Sequence, residues 1–390
     1  MNFDEILDLR GTQASRWSLM EKVHHVPQAT GIPMGIADMD FRPPECATRA
    51  VQGMIDRGDF GYYGDDTAYQ EAIQWWMATR HGWAIERDWI LTNHGVVNGV
   101  AIGVNAFSAV GDGVILFTPV YDSFAAAISG AGRVVVECPL VNNAGRYEFD
   151  FAAYDAMMTG RERVVVLCSP HNPGGRVWTQ QELRDVAAFC QRHDLILISD
   201  EIHQDLVYPD AQHTVMAKAV PEIQDRLIVV NGTSKTFNVA AIRTGNAIIP
   251  DPVIRARFAA SRAGMYIQPN AFGKTIPTAV YTPEGAAWLD ALIVYLDANR
   301  RLFDTAINTI PGVSSMTLDG TYLAWVNFGG TGMAQEELVR RVKDVAHIAA
   351  NSGTNYGKGG ESFMRFNFAT PRARVIEAVA RLQAAFSDLQ

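Results

Sequence analysis

The chain has 390 residues, of which 48% are hydrophobic and 19% charged, and its formal net charge is -9. This composition is typical of a folded protein with a large core and excludes a disordered chain. The acidic balance argues against nucleic acid or an anionic membrane surface as the main partner, because both bind basic faces. The length predicts two or three domains of roughly 150 residues, or one large domain and one small domain.

The cysteines and the N-terminus indicate the cellular compartment in which the protein is expected. No two cysteines form a CxxC pair, so neither a zinc site nor a disulfide framework is expected. The N-terminal residues are acidic and lack an apolar signal segment, and no apolar stretch is long enough to cross a bilayer. We therefore expect a cytoplasmic protein without a membrane partner.

Short apolar runs alternate with helix-like stretches through the middle of the chain. Most of the runs are rich in β-branched residues, as in strands covered on both faces. They lie at residues 114–117, 134–136, 164–168, 195–198 and 227–230. Between two of them, Thr179 and Glu182 form a capping-box pattern that begins a helix over 179–192. The alternation predicts a three-layer, doubly wound α/β fold with a mainly parallel sheet, in which ligands bind beyond the carboxyl ends of the strands.

The pattern changes after about residue 281. A long helical stretch over 283–310 is followed by strand-like pieces at 322–328 and 363–368 and by a last helix from about 371. This order predicts a second, smaller α+β domain at the C-terminus. The expected divisions are an N-terminal arm that joins the small domain or a neighbouring subunit (1–45), a large domain (46–282) and the small domain (283–390).

A lysine just beyond the run 227–230 is the most informative residue. The run leads into the turn Asn231-Gly232-Thr233-Ser234-Lys235, where an apolar strand end dehydrates the ammonium group and lowers its pKa. A lysine of this kind is a nucleophile that forms Schiff bases. A lone lysine in such a turn is more often an ordinary surface residue, so the interpretation depends on partners at neighbouring strand ends.

Four residues at other strand ends supply what a pyridoxal phosphate (PLP) site needs. Asp200 follows an apolar run, where a buried carboxylate requires a partner such as a protonated pyridine nitrogen, although a helix N-cap is the plainer role. Asn172 lies in a rigid, proline-containing turn and can bond the ring oxygen, towards which His203 can also lean. Tyr121 can stack on the ring, although a tyrosine at a strand end is commonly a core or rim residue.

The phosphate group of PLP has a candidate site at the helix-like run that begins after residue 94. A helix start offers free N–H groups and the positive end of a dipole, and nearby side chains add hydroxyls and a fixed cation. The candidate phosphate ligands are Gly95, Val96, Val97, Thr233, Ser234 and Arg243. A nicotinamide dehydrogenase is disfavoured, because no GxGxxG pattern follows the first strand.

The order of these motifs resembles that of fold-type I PLP enzymes of the class I/II aminotransferase superfamily, over essentially the whole chain. Several stretches are similar to one branch, the MalY/PatB-like cystathionine β-lyases, which are C–S lyases. These stretches are Ile36-Ala37-Asp38-Met39-Asp40-Phe41, Phe60-Gly61-Tyr62-Tyr63, Ser199-Asp200-Glu201-Ile202-His203-Gln204-Asp205, Thr321-Tyr322-Leu323-Ala324-Trp325 and Asn355-Tyr356-Gly357. The resemblance implies a PLP cofactor and a small amino acid as the substrate.

The resemblance also implies roles for particular residues. Lys235, Asp200 and Tyr121 would be the catalytic residues, with Lys235 as the Schiff-base lysine and proton shuttle. Arg365 would clamp the α-carboxylate of the substrate in a bidentate pair, beside Asn172 and Ala37. A further residue, Tyr62, would reach across a dimer interface to the partner subunit's phosphate site, so the active unit would be a homodimer.

Three functions remain open at this point. The leading hypothesis is PLP-dependent β-elimination from L-cystathionine or related cysteine conjugates, which yields a thiol, pyruvate and ammonia. The second is an aminotransferase of unknown amino-acid specificity, which Arg243 favours because it resembles the phosphate arginine of aminotransferases. The third is a non-catalytic binding protein, whose signature would be the loss of Lys235 or Asp200, and both are present. The first two functions share proton abstraction from Cα, so the core motifs do not separate them.

Overall fold

The computed structural model describes residues 1–389. The strands are β1 (Ile32–Pro33), β2 (Ile90–Asn93), β3 (Gly113–Thr118), β4 (Val134–Pro139), β5 (Val141–Asn143), β6 (Arg146–Glu148), β7 (Glu162–Cys168), β8 (Ile196–Asp200), β9 (Leu227–Asn231), β10 (Gly245–Ile248), β11 (Ser314–Ser315), β12 (Leu323–Asn327), β13 (Ile348–Ala349), β14 (Asn351–Ser352) and β15 (Phe363–Asn367). The α-helices are α1 (Ser15–Ser18), α2 (Met20–His24), α3 (Glu45–Arg57), α4 (Thr67–His81), α5 (Val96–Phe107), α6 (Asp122–Gly130), α7 (Phe151–Met157), α8 (Gln180–Arg192), α9 (Met216–Ala219), α10 (Pro252–Gly264), α11 (Ala271–Val280), α12 (Pro283–Ile307), α13 (Gln335–Arg340) and α14 (Arg372–Ala385).

A seven-stranded sheet forms the centre of the molecule, in the order β2-β10-β9-β8-β7-β3-β4. Four neighbouring pairs are parallel, whereas β10 runs antiparallel to both β2 and β9. The prediction of a mainly parallel, doubly wound sheet is therefore confirmed. Strand β10 was not predicted, because its sequence, Gly-Asn-Ala-Ile, carries no run of β-branched residues.

Alternate residues of the central strands pack into two different cores. In β7, Val164 and Val166 belong to the core that contains α5, and Val165 and Leu167 belong to the core that contains α8. Because successive side chains of a strand point to opposite faces, this division makes the three layers of the fold. Burying each such side chain contributes about 1.5–3 kcal/mol relative to exposure. The edge strand β4 differs from the expectation for covered strands, because 54% of Val134 is exposed.

Helix α8 begins at the capping box that the sequence predicted. In α8, Thr179 Oγ1 accepts a bond from the Glu182 N–H at 3.2 Å, and the Thr179 N–H donates to Glu182 Oε2 at 2.7 Å, which confirms the capping box. Helix α12 ends three residues before the predicted position 310, ahead of Pro311. Among residues 1–389, no helix has both the length and the apolar character that a membrane span requires.

A smaller antiparallel sheet, in the order β11-β12-β15-β14, lies in the C-terminal part together with α12 and α14. The N-terminal segment is attached to this part, since β1 pairs in parallel with β13. Asn367 Nδ2 at the end of β15 donates to the Ile36 and Asp38 carbonyls, both at 2.6 Å. Residues 36–38 are thereby fixed to the end of β15, and the Ala37 carbonyl between them accepts a hydrogen bond from Lys235 in the turn after β9 of the central sheet. The divisions at residues 45 and 282 stay predictions.

Candidate active site

A cavity of about 470 Å³ lies at the carboxyl ends of the central strands. Its wall includes residues from the turns that follow β2, β3, β7, β8 and β9, which is where ligands bind in open α/β sheets. The lining residues that the sequence predicted are Ala37, Gly95, Val96, Val97, Tyr121, Asn172, Asp200, His203, Ser234, Lys235 and Arg243. The volume is in the range of small-molecule sites in proteins.

Lys235 stands in a turn directly after β9. Its Nζ donates a hydrogen bond of 2.5 Å to the carbonyl oxygen of Ala37, which also accepts a bond from the Tyr322 hydroxyl at 3.0 Å. Burial lowers the pKa of Lys235 to about 8, although the nearby Asp38 carboxylate opposes this change. The lowered pKa increases the fraction of the neutral, nucleophilic amine near neutral pH, as expected from the apolar strand end.

Asp200 is the last residue of β8 and is only 3% exposed. Burial raises the pKa of its carboxyl group to about 7, while the hydrogen bond that Oδ1 accepts from the Ile202 N–H at 3.0 Å opposes this change. No helix begins here, so the alternative role as a helix N-cap is wrong, and the carboxylate instead closes a short turn. A carboxylate buried in this way is stabilised by a cationic partner in the cavity.

Arg365 lies on β15, behind the cavity wall rather than in it. It is 3% exposed, because both faces of β15 are buried, so it is not a solvated charge. Its Nη1 donates to Asn172 Oδ1 at 3.0 Å, and its Nη2 donates to the Gly35 carbonyl at 2.6 Å. The guanidinium also lies 5.2 Å from the centre of the Tyr356 ring. Its buried Nε has no partner in the described chain, which leaves one donor free for an anion.

The start of α5 forms an open, donor-rich end of the cavity. Gly95, the N-cap, has a φ of +91°, and a Cβ built on it would meet nothing within 4 Å. Gly95, Val96 and Val97 line the cavity, so the start of α5 lies at its wall with the positive end of the helix dipole directed towards it. Ser234 and Arg243 line the cavity, and the buried hydroxyl of Thr233, the residue before Ser234, has no partner within residues 1–389.

The donors and acceptors of the cavity fit PLP. The buried Asp200 carboxyl suits a pyridinium nitrogen, and the open helix start with the free Thr233 hydroxyl suits a phosphate. His203 is buried, with Nδ1 unpartnered in the described residues, and burial lowers its pKa to about 3, so it offers a neutral ring. Tyr121 lines the cavity, and its N–H donates to the Asn172 carbonyl at 3.1 Å.

Of the predicted site residues, Thr233, Arg365 and Tyr62 do not line the cavity, and Tyr62 lies in a different part of the surface. Its side chain is fully exposed, and it lines a separate hollow of about 780 Å³ together with Phe60, Tyr63, Tyr266 and Lys274. Within one chain it cannot contact a group bound near Lys235. The cross-subunit contact therefore stays a prediction.

Several residues of the site were not singled out from the sequence. Asp38 lines the cavity, and its Oδ1 accepts a bond of 2.8 Å from Arg16 Nε. Tyr322 fixes the Ala37 carbonyl, and residues 13–15 close part of the wall. Asp38 and Tyr322 belong to motifs that carried the family resemblance. Residues 13–15 have no strand-end position and no motif that could have indicated them.

The fold and the site define a PLP-dependent enzyme of fold type I. Residues 29–382 match the family model of class I and II aminotransferases. Cystathionine β-lyase PatB of Bacillus subtilis (strain 168) is 36% identical over 391 residues, which cover 99% of this chain and 100% of the relative. The chain belongs to the class I and II aminotransferase family, as the motifs indicated.

Solved structures give the same assignment. Cystalysin from Treponema denticola, which contains a pyridoxal 5'-phosphate cofactor, is 33% identical and superimposes with a TM-score of 0.94 over 100% of this chain and 99% of cystalysin. The PLP-bound C–S lyase from Staphylococcus hominis is 29% identical with a TM-score of 0.90, over 99% of this chain and 98% of that chain. This chain is a PLP-dependent enzyme of the C–S lyase type.

Proposed function

We propose that the enzyme cleaves L-cystathionine or a related cysteine conjugate by β-elimination and releases a thiol, pyruvate and ammonia. The observation that carries the proposal is the convergence of Lys235 Nζ and the Asp200 carboxyl on one cavity, with Arg365 directly behind Asn172 in its wall. The similarity to PatB, a cystathionine β-lyase, supports this choice of substrate.

Arg365 is the proposed ligand of the substrate α-carboxylate. Its free Nε and its Nη2 can donate two parallel bonds to a carboxylate, provided that Nη2 releases the Gly35 carbonyl. Asn172 holds Nη1 at the same time and so fixes the plane of the guanidinium. This contact orients the Cα–H bond of the substrate relative to Lys235.

Lys235 is the proposed general base. Its amine, with a pKa of about 8, can take the Cα proton at Nζ near neutral pH, and the Ala37 carbonyl orients the amine for that transfer. Bound PLP supplies an electron sink for the electron pair that remains on Cα. Asp200 keeps the ring nitrogen protonated, because the buried carboxylate is stabilised by that cation.

The remaining predicted residues would hold the cofactor. Asn172 and His203 would approach the ring oxygen, and Tyr121 would stack on the ring. The phosphate group would be bound at the open start of α5. The proposed phosphate ligands are Gly95, Val96, Val97, Thr233, Ser234 and Arg243.

We propose that the active unit is a homodimer in which Tyr62 completes the phosphate site of the second copy. An exposed aromatic surface supports this proposal. It consists of the fully exposed Tyr62 ring and its neighbours Phe60 and Tyr266, which are 62% and 80% exposed. The proposed domains are the large domain, 46–282, and a small domain of 283–390 that the arm 1–45 joins through the pairing of β1 with β13.

The function is tested by pyruvate release from L-cystathionine by PLP-loaded protein, with no keto-acid acceptor present. Many turnovers of pyruvate are expected, because β-elimination needs no acceptor. An absence of pyruvate, with the cofactor still attached to the protein, would contradict the proposal. That result would favour transamination, which the position of Arg243 in the cavity wall also permits, and a screen of amino donors would follow.

Replacing Arg365 by Lys should lower kcat/KM about 10- to 100-fold, mainly through KM. Lysine keeps the charge but loses the planar fork, and a hydrogen bond to a charged group is worth about 1.5–3 kcal/mol. The measurement is steady-state kinetics of pyruvate release. Arg300→Lys is the control, because Arg300 is also buried and is paired with Asp210 and Asp297 away from the cavity. Equal kinetics for both variants would remove Arg365 from the substrate site.

A further inference from the structure

Asp205 is a buried carboxylate outside the cavity wall, and three different donors bind it. Trp76 Nε1 and His81 Nε2 lie 3.0 and 2.8 Å from Oδ1, and the Thr236 hydroxyl donates to Oδ2 at 2.7 Å. Burial alone would raise the pKa of Asp205, but these bonds, led by the one to His81, lower it. The carboxylate is therefore charged and fully engaged, without contact to the proposed substrate.

The position of the three donors is informative. Trp76 and His81 lie on α4, which belongs to the scaffold. Thr236 is the residue after Lys235, and Asp205 lies in the turn that follows Asp200. The bond between Asp205 and Thr236 therefore joins the turn that carries the lysine to the turn that follows the buried acid.

Other contacts hold the residues that follow Thr236 in the lysine turn. The Asn238 side chain exchanges hydrogen bonds with the backbone of Met39 and Phe41, and the buried Phe237 ring packs against Trp76 of α4. Within the turn, the Phe237 and Val239 N–H groups donate to the Thr233 and Ser234 carbonyls at 3.0 and 3.1 Å. The ammonium itself is held by the Ala37 carbonyl. Within the described residues, the bond from the Thr236 hydroxyl to Asp205 joins residues 233–237 to α4 through a charged carboxylate. A charge-assisted bond is the stronger kind of anchor.

We propose that Asp205 is a positioning residue that fixes Lys235 Nζ relative to Asp200 through the Thr236 hydroxyl. The proposal rests on the proposed function, because it requires Lys235 to be the reactive amine. An error of about 1 Å in the place of a reacting group can cost on the order of 100-fold in rate. The side chain of Thr236 thus acts on the reaction without contacting the substrate.

The test is Thr236→Val in the PLP-loaded enzyme, which keeps the shape of the side chain and removes the hydroxyl. We expect kcat to fall about 10- to 100-fold with KM changed less than threefold, since a positional error acts on the proton transfer. The second readout is the visible absorption of lysine-bound PLP, whose pH midpoint should move and whose release on dialysis should quicken. Thr236→Ser restores the hydroxyl and should restore both readouts.

The control is His81→Leu, which removes another donor from the same carboxylate but on the α4 side. It should lower the melting temperature but move the absorption midpoint much less than Thr236→Val does, because Trp76 still holds Asp205 Oδ1 and Thr236 keeps its bond to Oδ2. Wild-type behaviour of Thr236→Val, or an equal midpoint change in His81→Leu, would overturn the positioning role. If Thr236→Val does not fold, Thr236→Ala removes the same hydroxyl and is judged by the same criteria.

Lys235→Ala separates this proposal from the proposed function. If that variant keeps the visible absorption of lysine-bound PLP, Lys235 is not the reactive amine and the proposed function fails. If the absorption disappears in Lys235→Ala and Thr236→Val equals the wild type, the proposed function stands and only the role of Asp205 fails.

Discussion

Replacing Lys235 by Ala should lower the turnover of L-cystathionine by on the order of 10⁴-fold, the upper end of what one general base contributes. The variant loses the amine that lies 2.5 Å from the Ala37 carbonyl, and with it both the covalent attachment of PLP and the acceptor for the Cα proton. The cofactor should then be removable by dialysis. Pyruvate release and the absorption of the dialysed protein measure the two effects.

Lys343→Ala is the matched control for this variant. Lys343 is also a lysine whose pKa burial lowers, but it lies near the C-terminal helices and not in the cavity wall. Its replacement should leave turnover and cofactor retention unchanged. Turnover of Lys235→Ala close to that of the wild type would show that another group takes the proton and would remove the central residue of the proposed mechanism.

Replacing Asp200 by Asn should lower turnover by on the order of 10²- to 10³-fold, because a neutral amide cannot hold a protonated ring nitrogen. The fold should persist, because the amide oxygen can still accept the Ile202 N–H. The measurement is pyruvate release together with the solvent or substrate deuterium isotope effect, which reports Cα–H cleavage. Asp304→Asn is the control, since burial also raises the pKa of Asp304 but its partner is Ser315. Near-normal rates for Asp200→Asn would contradict the pairing with the ring nitrogen.

The same variant has an expected signature in stability. Burial raises the pKa of Asp200 from 3.8 to about 7, so the folded cofactor-free protein keeps a proton that the unfolded chain releases above pH 4. The free energy of unfolding of the wild type should therefore fall between pH 4 and pH 7 and level off above, by a few kcal/mol at about 1.4 kcal/mol per pKa unit. Asp200→Asn lacks this loss, so cofactor-free Asp200→Asn should melt at a higher temperature than the wild type at pH 8. Equal melting temperatures at pH 8 would show that Asp200 is not a strained carboxylate.

The sequence predicted much of the site because the sheet is mainly parallel. Asn172, Asp200 and Lys235 each follow an apolar run, and parallel strands that enter one sheet bring their carboxyl ends to one edge. The structure places all three residues around one cavity. No knowledge of side-chain packing was needed for this step, since strand direction alone decides it.

Other features depended on contacts between distant segments. The plainer role of Asp200 as an N-cap was wrong because the chain after β8 makes a short turn instead of a helix. Arg365 was expected to clamp the substrate, but its place behind Asn172 and its bond to the Gly35 carbonyl follow from the packing of β15 against residues 35–38. The role of the Ala37 carbonyl as the partner of Lys235 joins residues 198 positions apart, and no local pattern indicates it.

The sequence by itself determined the fold class and the family, and it singled out Lys235 and Asp200 as the proposed reactive lysine and its acid partner. The fold class follows from the periodicity of apolar residues, the candidate residues from polar positions at strand ends, and the family from the resemblance of the motifs, all of which are local. Only the tertiary structure decided how charged each group is and what holds it. The pKa of Lys235 and that of Asp200 depend on burial by segments far away in the chain, and the anchor that Asp205 gives to Thr236 exists only because α4 and two strand-end turns meet in the core.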